Sequence, residues 1–253
     1  MPLDSTQRFT DRVADYVRYR PGYPAELIDF LHETCAIPPR ARVADMGAET
    51  GISSKLLLDA GHPVIAVEPN DAMRQAADQW LSGYPGYSSV AAPAEQTTLP
   101  GASVDRVIAA QAFHWFDRDR VRQEFARILR PGGRLALLWN ARLLDGSAFL
   151  RGYEALLQAH GVDYNAVAER YSDDADMQQW FGPGLRDTGH FHYVQKLDFD
   201  GLRGRLMSSS YAPKPGHPHF EPAMQVLQSL FDATARQGVV DFEYDTRIYV
   251  GVL

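Results

Sequence analysis

Residues 41–68 restrict the possible architecture of this chain more than any other stretch. An apolar, β-like run, Ala41-Arg42-Val43-Ala44, leads into Asp45-Met46-Gly47-Ala48-Glu49-Thr50-Gly51. A helix-like segment follows from Ile52 to Asp59, and a second strand pattern, Val64-Ile65-Ala66-Val67, ends on Glu68. Strand, glycine turn, helix, strand, acid is the order of a nucleotide site. Gly47 and Gly51 let backbone approach a ligand, and the carboxylate of Glu68, twenty-three residues after Asp45, can accept hydrogen bonds from two ribose hydroxyls.

The same spacing excludes two common alternatives. A dinucleotide fingerprint requires Gly-x-Gly-x-x-Gly, and the chain offers Gly47, Glu49 and Ile52 at those places, which leaves no obvious room for a pyrophosphate. A Gly-x-x-x-x-Gly-Lys-Ser/Thr loop is absent, so nucleoside triphosphate binding has no support.

Beyond this unit the alternation continues. The pattern predicts strands at 41–46, 63–68, 87–91, 104–110 and 134–139, with helices at 51–60, 70–81 and 118–129. Asn70 or Asp71 would cap the second of these helices, and Pro131-Gly132-Gly133 reads as a tight turn before the fifth strand. Upstream, residues 8–20 carry a helical stripe (Phe9, Val13, Tyr16, Val17, Arg20), and Pro24 opens a helix running to about Cys35. Downstream, 147–181 reads as helical around a polar stretch at 172–176, Phe191 to Leu197 as a strand, 199–208 and 219–236 as helices, and 240–252 as a last strand. Alternating strands and helices imply an α/β fold: a Rossmann-like open sheet, mostly parallel, with helices on both faces and helical insertions over its carboxyl edge. The expected organisation is an N-terminal helical lid (1–36), a cofactor-binding core (37–140), a helical substrate cap (141–189), and a closing segment (190–253) within one folded unit. Ligands of open α/β sheets bind at the carboxyl edge. Gly47 to Gly51, Glu68, Ala94-Glu95, Gln111 to Trp115 and Asn140 all fall just after predicted strands, so five distant segments would meet in one crevice.

Composition narrows the partners. With a formal charge of −7 and a pI near 5.6, the chain lacks the basic balance of a general nucleic-acid binder. Cys35 is the only cysteine, no apolar run approaches the ~20 residues that span a bilayer, and the N-terminus has no signal-peptide centre. The expectation is a cytoplasmic protein without a membrane partner; the oligomeric state is left open.

At this point the chain resembles class I S-adenosylmethionine-dependent methyltransferases, especially the small-molecule group that includes trans-aconitate methyltransferase-like proteins. VADMGAETG resembles that family's first motif, AVEPN its acidic second strand end, SVDRVIAAQAFHWF its fourth strand and ILRPGG the turn before the fifth; RPGYP and SSSYAPKPGHP resemble features of one subgroup. The resemblance implies S-adenosyl-L-methionine as cofactor and a seven-stranded sheet whose last strand runs antiparallel. It also implies that Asp45, Gly47, Ala48 and Gly51 face the methionine part, Glu68 the ribose, and Pro69-Asn70 with Ala94 and Glu95 the adenine. Gln111 and Ala112 would lie under the sulfonium, with His114 and Trp115 toward the substrate. Two positions depart from the family pattern. Glu49 stands where a glycine is usual, where its carboxylate would either clash with the methionine part or accept from its ammonium group. Pro93 stands where many relatives carry an acid.

Methyl transfer from a sulfonium is an in-line displacement in which the protein mostly positions the reactants. A carboxylate acceptor needs no base, whereas a hydroxyl, amine or carbon acid does, and His114 is the only histidine in a predicted crevice segment. The alternative is that His114-Trp115 merely shapes the pocket. Arg18, Arg20, Tyr16, Tyr19 and Tyr23 form a basic, aromatic segment that either covers the cofactor or packs as core. Trp139, Asn140, Arg142, Ser208 to Ser210 and Tyr211 are substrate-pocket candidates, and an arginine there would suit an anionic acceptor. Two His-x-His pairs, His190/His192 and His217/His219, lack a convincing third ligand, so no metal is assigned. The expected function is methyl transfer from S-adenosylmethionine to a small molecule. An rRNA- or nucleotide-directed methyltransferase and a non-catalytic S-adenosylmethionine-binding protein are the alternatives.

Overall fold

A computed structural model describes residues 17–34, 40–165 and 173–253. Most of the helix expected at 8–20, the end of the helix expected to reach Cys35, and part of the predicted cap fall outside those residues. Helix α1 (Glu26–Thr34) precedes β1 (Val43–Met46), α2 (Ile52–Asp59), β2 (Val64–Val67), α3 (Asp71–Leu81), β3 (Tyr87–Val90), β4 (Val104–Ala110), a short 3-10 turn (Phe113–Trp115), α4 (Arg118–Ile128) and β5 (Leu129–Arg142). Then come α5 (Ala148–His160), α6 (Asp174–Phe181), β6 (Leu185–Leu197), α7 (Phe199–Met207), α8 (Phe220–Thr234) and β7 (Val240–Gly251).

The seven strands form one sheet in the order β3-β2-β1-β4-β5-β7-β6. Strands β1 to β5 pair in parallel, and β7 runs antiparallel to both β5 and β6, as expected. The parallel strands read as unbroken apolar runs because both faces are covered: all four residues of β1 are buried. Period-two alternation sorts β5 between the two faces. Leu135, Leu137 and Trp139 pack with Phe125 and Ile128 of α4 and Phe181 of α6, while Ala136 and Leu138 pack with Leu27 and Leu31 of α1 and Leu57 of α2.

Three differences from the sequence expectation bear on the site. Pro131-Gly132-Gly133 does not separate α4 from the fifth strand. Val104 pairs with Leu129 and Arg106 with Arg134, so the turn is looped out within a longer β5. The segment expected as helical over 147–181 contains two described helices, α5 and α6, on either side of residues outside the description. Most consequentially, β5 does not end before Asn140. It continues to Arg142 because β7 supplies partners for it, Asn140 opposite Thr246 and Arg142 opposite Tyr244.

That extension carries helices α5, α7 and α8. The first half of β7 runs past the carboxyl ends of the parallel strands, and its Phe242 and Tyr244 form a third core with Phe149, Leu150 and Tyr153 of α5, Leu202 and Leu206 of α7 and Leu227 of α8. The N-terminal segment is fastened to the same unit: the ring of Tyr19 lies where a Cβ on Gly204 would stand, 2.1 Å away, and Gln195 Nε2 donates to the Tyr19 carbonyl at 3.0 Å.

Candidate active site

The loop after β1 turns sharply enough to need left-handed backbone at three positions: Gly47 (φ 65°), Glu49 (φ 51°) and Gly51 (φ 89°). At Gly47 a side chain is excluded outright, since a Cβ would stand 2.5 Å from the Cβ of Ala112 and 3.3 Å from the Phe116 ring. At Gly51 it would stand 2.7 Å from Leu81 Cδ1. Glu49 takes up a left-handed conformation that costs a non-glycine residue about 1 kcal/mol.

Glu68 holds this loop. Its Oε2 accepts from the Glu49 N–H at 3.0 Å and its Oε1 from the Asn70 N–H at 2.7 Å, while the Gly47 and Ala48 N–H groups donate to the Val67 carbonyl at 2.9 and 3.2 Å. A carboxylate has about four lone-pair directions, so two remain for further donors. Burial is the main reason the Glu68 pKa lies above the ordinary glutamate value, opposed by these two backbone bonds. Asn70 is the cap of α3, accepting from the Met73 N–H at 3.0 Å.

Asp45 is wholly buried, and its Oδ2 accepts from Ser53 Oγ and Ser54 Oγ, both at 2.7 Å. Its Oδ1 and the Thr50 hydroxyl are buried without a hydrogen-bond partner. Burial lifts the Asp45 pKa to about 6, against the pull of the two serines. The folded state therefore holds a proton that the unfolded chain has released, and ionised Asp45 lowers stability progressively from about pH 4 to about pH 6. Asp45→Asn should accordingly be more stable than the wild type by on the order of 1–3 kcal/mol above pH 6.5, with the difference shrinking as pH falls through 6. Paired urea titrations from pH 5 to 8 measure this; a difference that stays constant with pH contradicts it.

A cavity of about 250 Å³ opens beside the loop. Of the residues picked out in the sequence, Ala48, Glu49, Gln111, Asn140 and Tyr211 line it, together with Arg20, Tyr23 and Arg142. Gln111 has left-handed backbone (φ 60°) and its N–H donates to Leu138, which carries the chain across the sheet edge. Asn140 lines the wall from within β5, with its amide engaged: Nδ2 donates to the Gly22 carbonyl at 2.9 Å and Oδ1 accepts from Thr246 Oγ1 at 2.7 Å. It therefore ties the N-terminal segment to the sheet.

Other candidates lie elsewhere. Ala94 belongs to the core beneath the sheet, and Glu95 accepts from the Asp117 N–H at 2.9 Å at the start of α4. Ala112 packs under Gly47, and Pro69 links Glu68 to the cap of α3. Trp115 is not on the cavity wall; it packs with Met73 and Ile52. His114 is not on the wall either; its ring lies 4.9 Å from that of Trp115. The base role expected of His114 therefore has no contact with this cavity's wall to rest on. His190 and His192 sit on β6 beside Asp245 and Glu243, and no group of three metal-ligating side chains occurs among the described residues.

Thr50, inside the expected Gly47 to Gly51 stretch, also lines the cavity, as do Arg205 and Ile52, which no sequence signal marked. Arg205 lies in an unremarkable helix, LRGRLM, and only β7, brought beside it by the long-range pairing, makes it part of a site.

Residues 44–137 match a family described as a methyltransferase domain. An uncharacterised methyltransferase of Mycobacterium tuberculosis is 42% identical over 139 residues, 55% of this chain and 54% of that protein. The chain spans about half the length of the curated relatives it first matches. Among solved structures, a candidate type II methyltransferase from Anaeromyxobacter dehalogenans superposes with a TM-score of 0.65 at 24% identity, covering 92% of this chain and 97% of that one. Phosphoethanolamine N-methyltransferase 2 of Haemonchus contortus, in complex with S-adenosyl-L-methionine, superposes at 0.58 with 15% identity over 99% of this chain and 58% of its own. Both likenesses are of fold.

Proposed function

We propose that this chain, whose residues 44–137 match a methyltransferase domain family, transfers a methyl group from S-adenosylmethionine to a small molecule held in the cavity between Glu49 and Tyr211. The observation that carries this reading is the Glu68 carboxylate, buried at the end of β2. It clamps the left-handed loop through two backbone bonds and keeps acceptor capacity for a diol. The residues suit the cofactor: Asp45 Oδ1 and Thr50 Oγ1 are unspent polar atoms, and Gly47 is a close-approach position. In this reading Glu68 holds the ribose, and Asp45, Gly47, Ala48, Glu49 and Gly51 surround the methionine part. Gln111 and Ala112 border the reactive end. When bound, the cofactor supplies an electrophilic methyl group on a sulfonium.

The protein's own contribution is positioning and charge. Glu49, with Asp45 behind it, places negative charge on the cofactor side; their field, after burial, raises the Tyr23 phenol pKa. Arg20, Pro21 and Tyr23 from the N-terminal segment, with Tyr164, Arg205 and Tyr211, wall the cavity and would limit water at the transfer axis. Acid–base help from His114 is not needed if the acceptor is already anionic. His114→Ala should then leave kcat within about threefold, whereas a general base contributes 10²–10⁴-fold. The direct test is label transfer from methyl-tritiated S-adenosylmethionine into a cell extract fractionated by size. Label is expected in the small-molecule fraction. Label confined to RNA would reject a small-molecule acceptor, and binding without transfer would reject an enzyme.

A further inference from the structure

We propose that the end of the cavity formed by Arg205, Arg20 and Tyr211 binds an oxyanionic group of the acceptor, a carboxylate or a phosphate. The inference rests on the methyl-transfer reading above and assigns the chemical class of its second substrate.

Arg205, in the last turn of α7, is 5% exposed. Its Nε donates to Tyr244 Oη at 3.0 Å and its Nη1 to Ser209 Oγ at 2.9 Å, and the guanidinium lies 5.4 Å from the Phe242 ring centroid. Both hydrogen-bond partners are neutral hydroxyls, and among the described residues no carboxylate reaches it. A buried cation without a counter-charge is costly, and proteins ordinarily pair it. Arg142 on the same wall illustrates the usual solution: its Nη2 meets the Glu154 carboxylate and Tyr164 Oη. Arg205 is not needed to satisfy its neighbours either. Tyr244 Oη also donates to Gln195 Oε1 at 3.3 Å, and Ser209 Oγ donates to the Arg205 carbonyl at 3.3 Å.

The surroundings extend the pattern. Arg20 reaches the cavity wall from the N-terminal segment, where its Nη2 donates to the Ser208 carbonyl at 2.9 Å. Three arginines thus line a cavity whose only acid among the described lining residues is Glu49, in a chain of net charge −7. Burial would raise the phenol of Tyr211, yet Arg205, then Arg142, with Ser209 and Arg20, hold it below the ordinary tyrosine value. The cavity is therefore polarised. Its cofactor wall is acidic and suits a sulfonium and an ammonium. Its far wall is cationic and presents a planar guanidinium fork, which matches the oxygens of a carboxylate or phosphate. An anionic acceptor is drawn to this end and oriented by it.

The test uses the full chain saturated with S-adenosylhomocysteine, titrated calorimetrically with succinate and with inorganic phosphate. Succinamide and sodium chloride of matched ionic strength serve as controls, and thermal melts are run in parallel. At least one oxyanion should bind and raise Tm beyond sodium chloride, with succinamide inert; whichever binds tighter identifies a carboxylate or a phosphate acceptor. Arg205→Met should weaken that anion tenfold or more, leave S-adenosylhomocysteine affinity within twofold, and leave the Tm of the anion-free protein unchanged or higher. Should that variant fail to fold, Arg205→Lys keeps the charge, loses the fork, and should weaken the anion at least threefold. A wild type that responds to neither oxyanion beyond sodium chloride overturns the proposal. So does an Arg205 variant whose S-adenosylhomocysteine affinity falls in step with the anion, because the arginine would then serve the cofactor's own carboxylate. Binding of S-adenosylhomocysteine to the wild type reports separately on the methyl-transfer reading.

Discussion

Glu68→Gln should bind S-adenosylmethionine at least tenfold more weakly than the wild type while melting within a few degrees of it. Hydrogen bonds to a charged acceptor are worth about 1.5–3 kcal/mol each, and the proposed ribose contact uses two of them. The amide keeps one oxygen for the Glu49 or Asn70 N–H, which the carboxylate holds at 3.0 and 2.7 Å, so the loop retains part of its anchorage. Glu68→Ala removes both acceptors and leaves two backbone donors unpaired, at about 1–3 kcal/mol each where water is excluded. It should therefore lose stability as well as affinity. Comparing the two variants by calorimetric titration and thermal melts separates the ligand contact from the loop contact. An unchanged Kd in Glu68→Gln would remove Glu68 from the site.

Gly47→Ala is expected to be the most damaging single-methyl change in the loop. The added Cβ would stand 2.5 Å from Ala112 Cβ, on the segment that follows β4, and the backbone at Gly47 is left-handed. Overpacking costs roughly 1–3 kcal/mol and the left-handed conformation about 1 kcal/mol more, so the variant should lose about 2–4 kcal/mol in urea denaturation. It should also lose cofactor binding, because relief requires the β1 and β4 loops to move apart. Glu49→Gly is the informative counterpart: it removes left-handed strain at a position already open to a side chain. A Gly47→Ala protein as stable as the wild type would show that the two loops are not in the contact described.

The parts of the fold that local chemistry dictates were readable in the chain. β1 to β4 and the helices between them follow from apolar runs, glycine turns and caps such as Asn70, each a matter of a few neighbouring residues. The local pattern stops short of the end of β5 because its last residues owe their strand conformation to β7, about a hundred positions away, and no local pattern encodes that pairing. The site divides in the same way. Gly47, Gly51 and Glu68 belong to one contiguous unit whose spacing carries the chemistry. Arg205 and the exact orientation of His114 and Trp115 depend on how the cap and the 3-10 turn dock. A short polar-aromatic segment such as Phe113–Trp115 has no periodicity to reveal which way its rings face. The position of Asn140 after a strand marks it as a wall residue, yet its amide joins Gly22 to Thr246, a role visible only once three distant segments meet.

In the proposed complex the adenosyl ligand enters beside Glu68 with its methyl end toward the arginine-lined cavity. Calorimetric titration of the wild type with S-adenosylhomocysteine, followed by a crystal structure of the complex, tests this most directly. The expected result is one site per chain, with both ribose hydroxyls on the Glu68 carboxylate and the homocysteine sulfur facing the space between Gln111 and Tyr211. Absence of binding, or a ligand seated elsewhere with Glu68 still engaged only by the Glu49 and Asn70 amides, would contradict it.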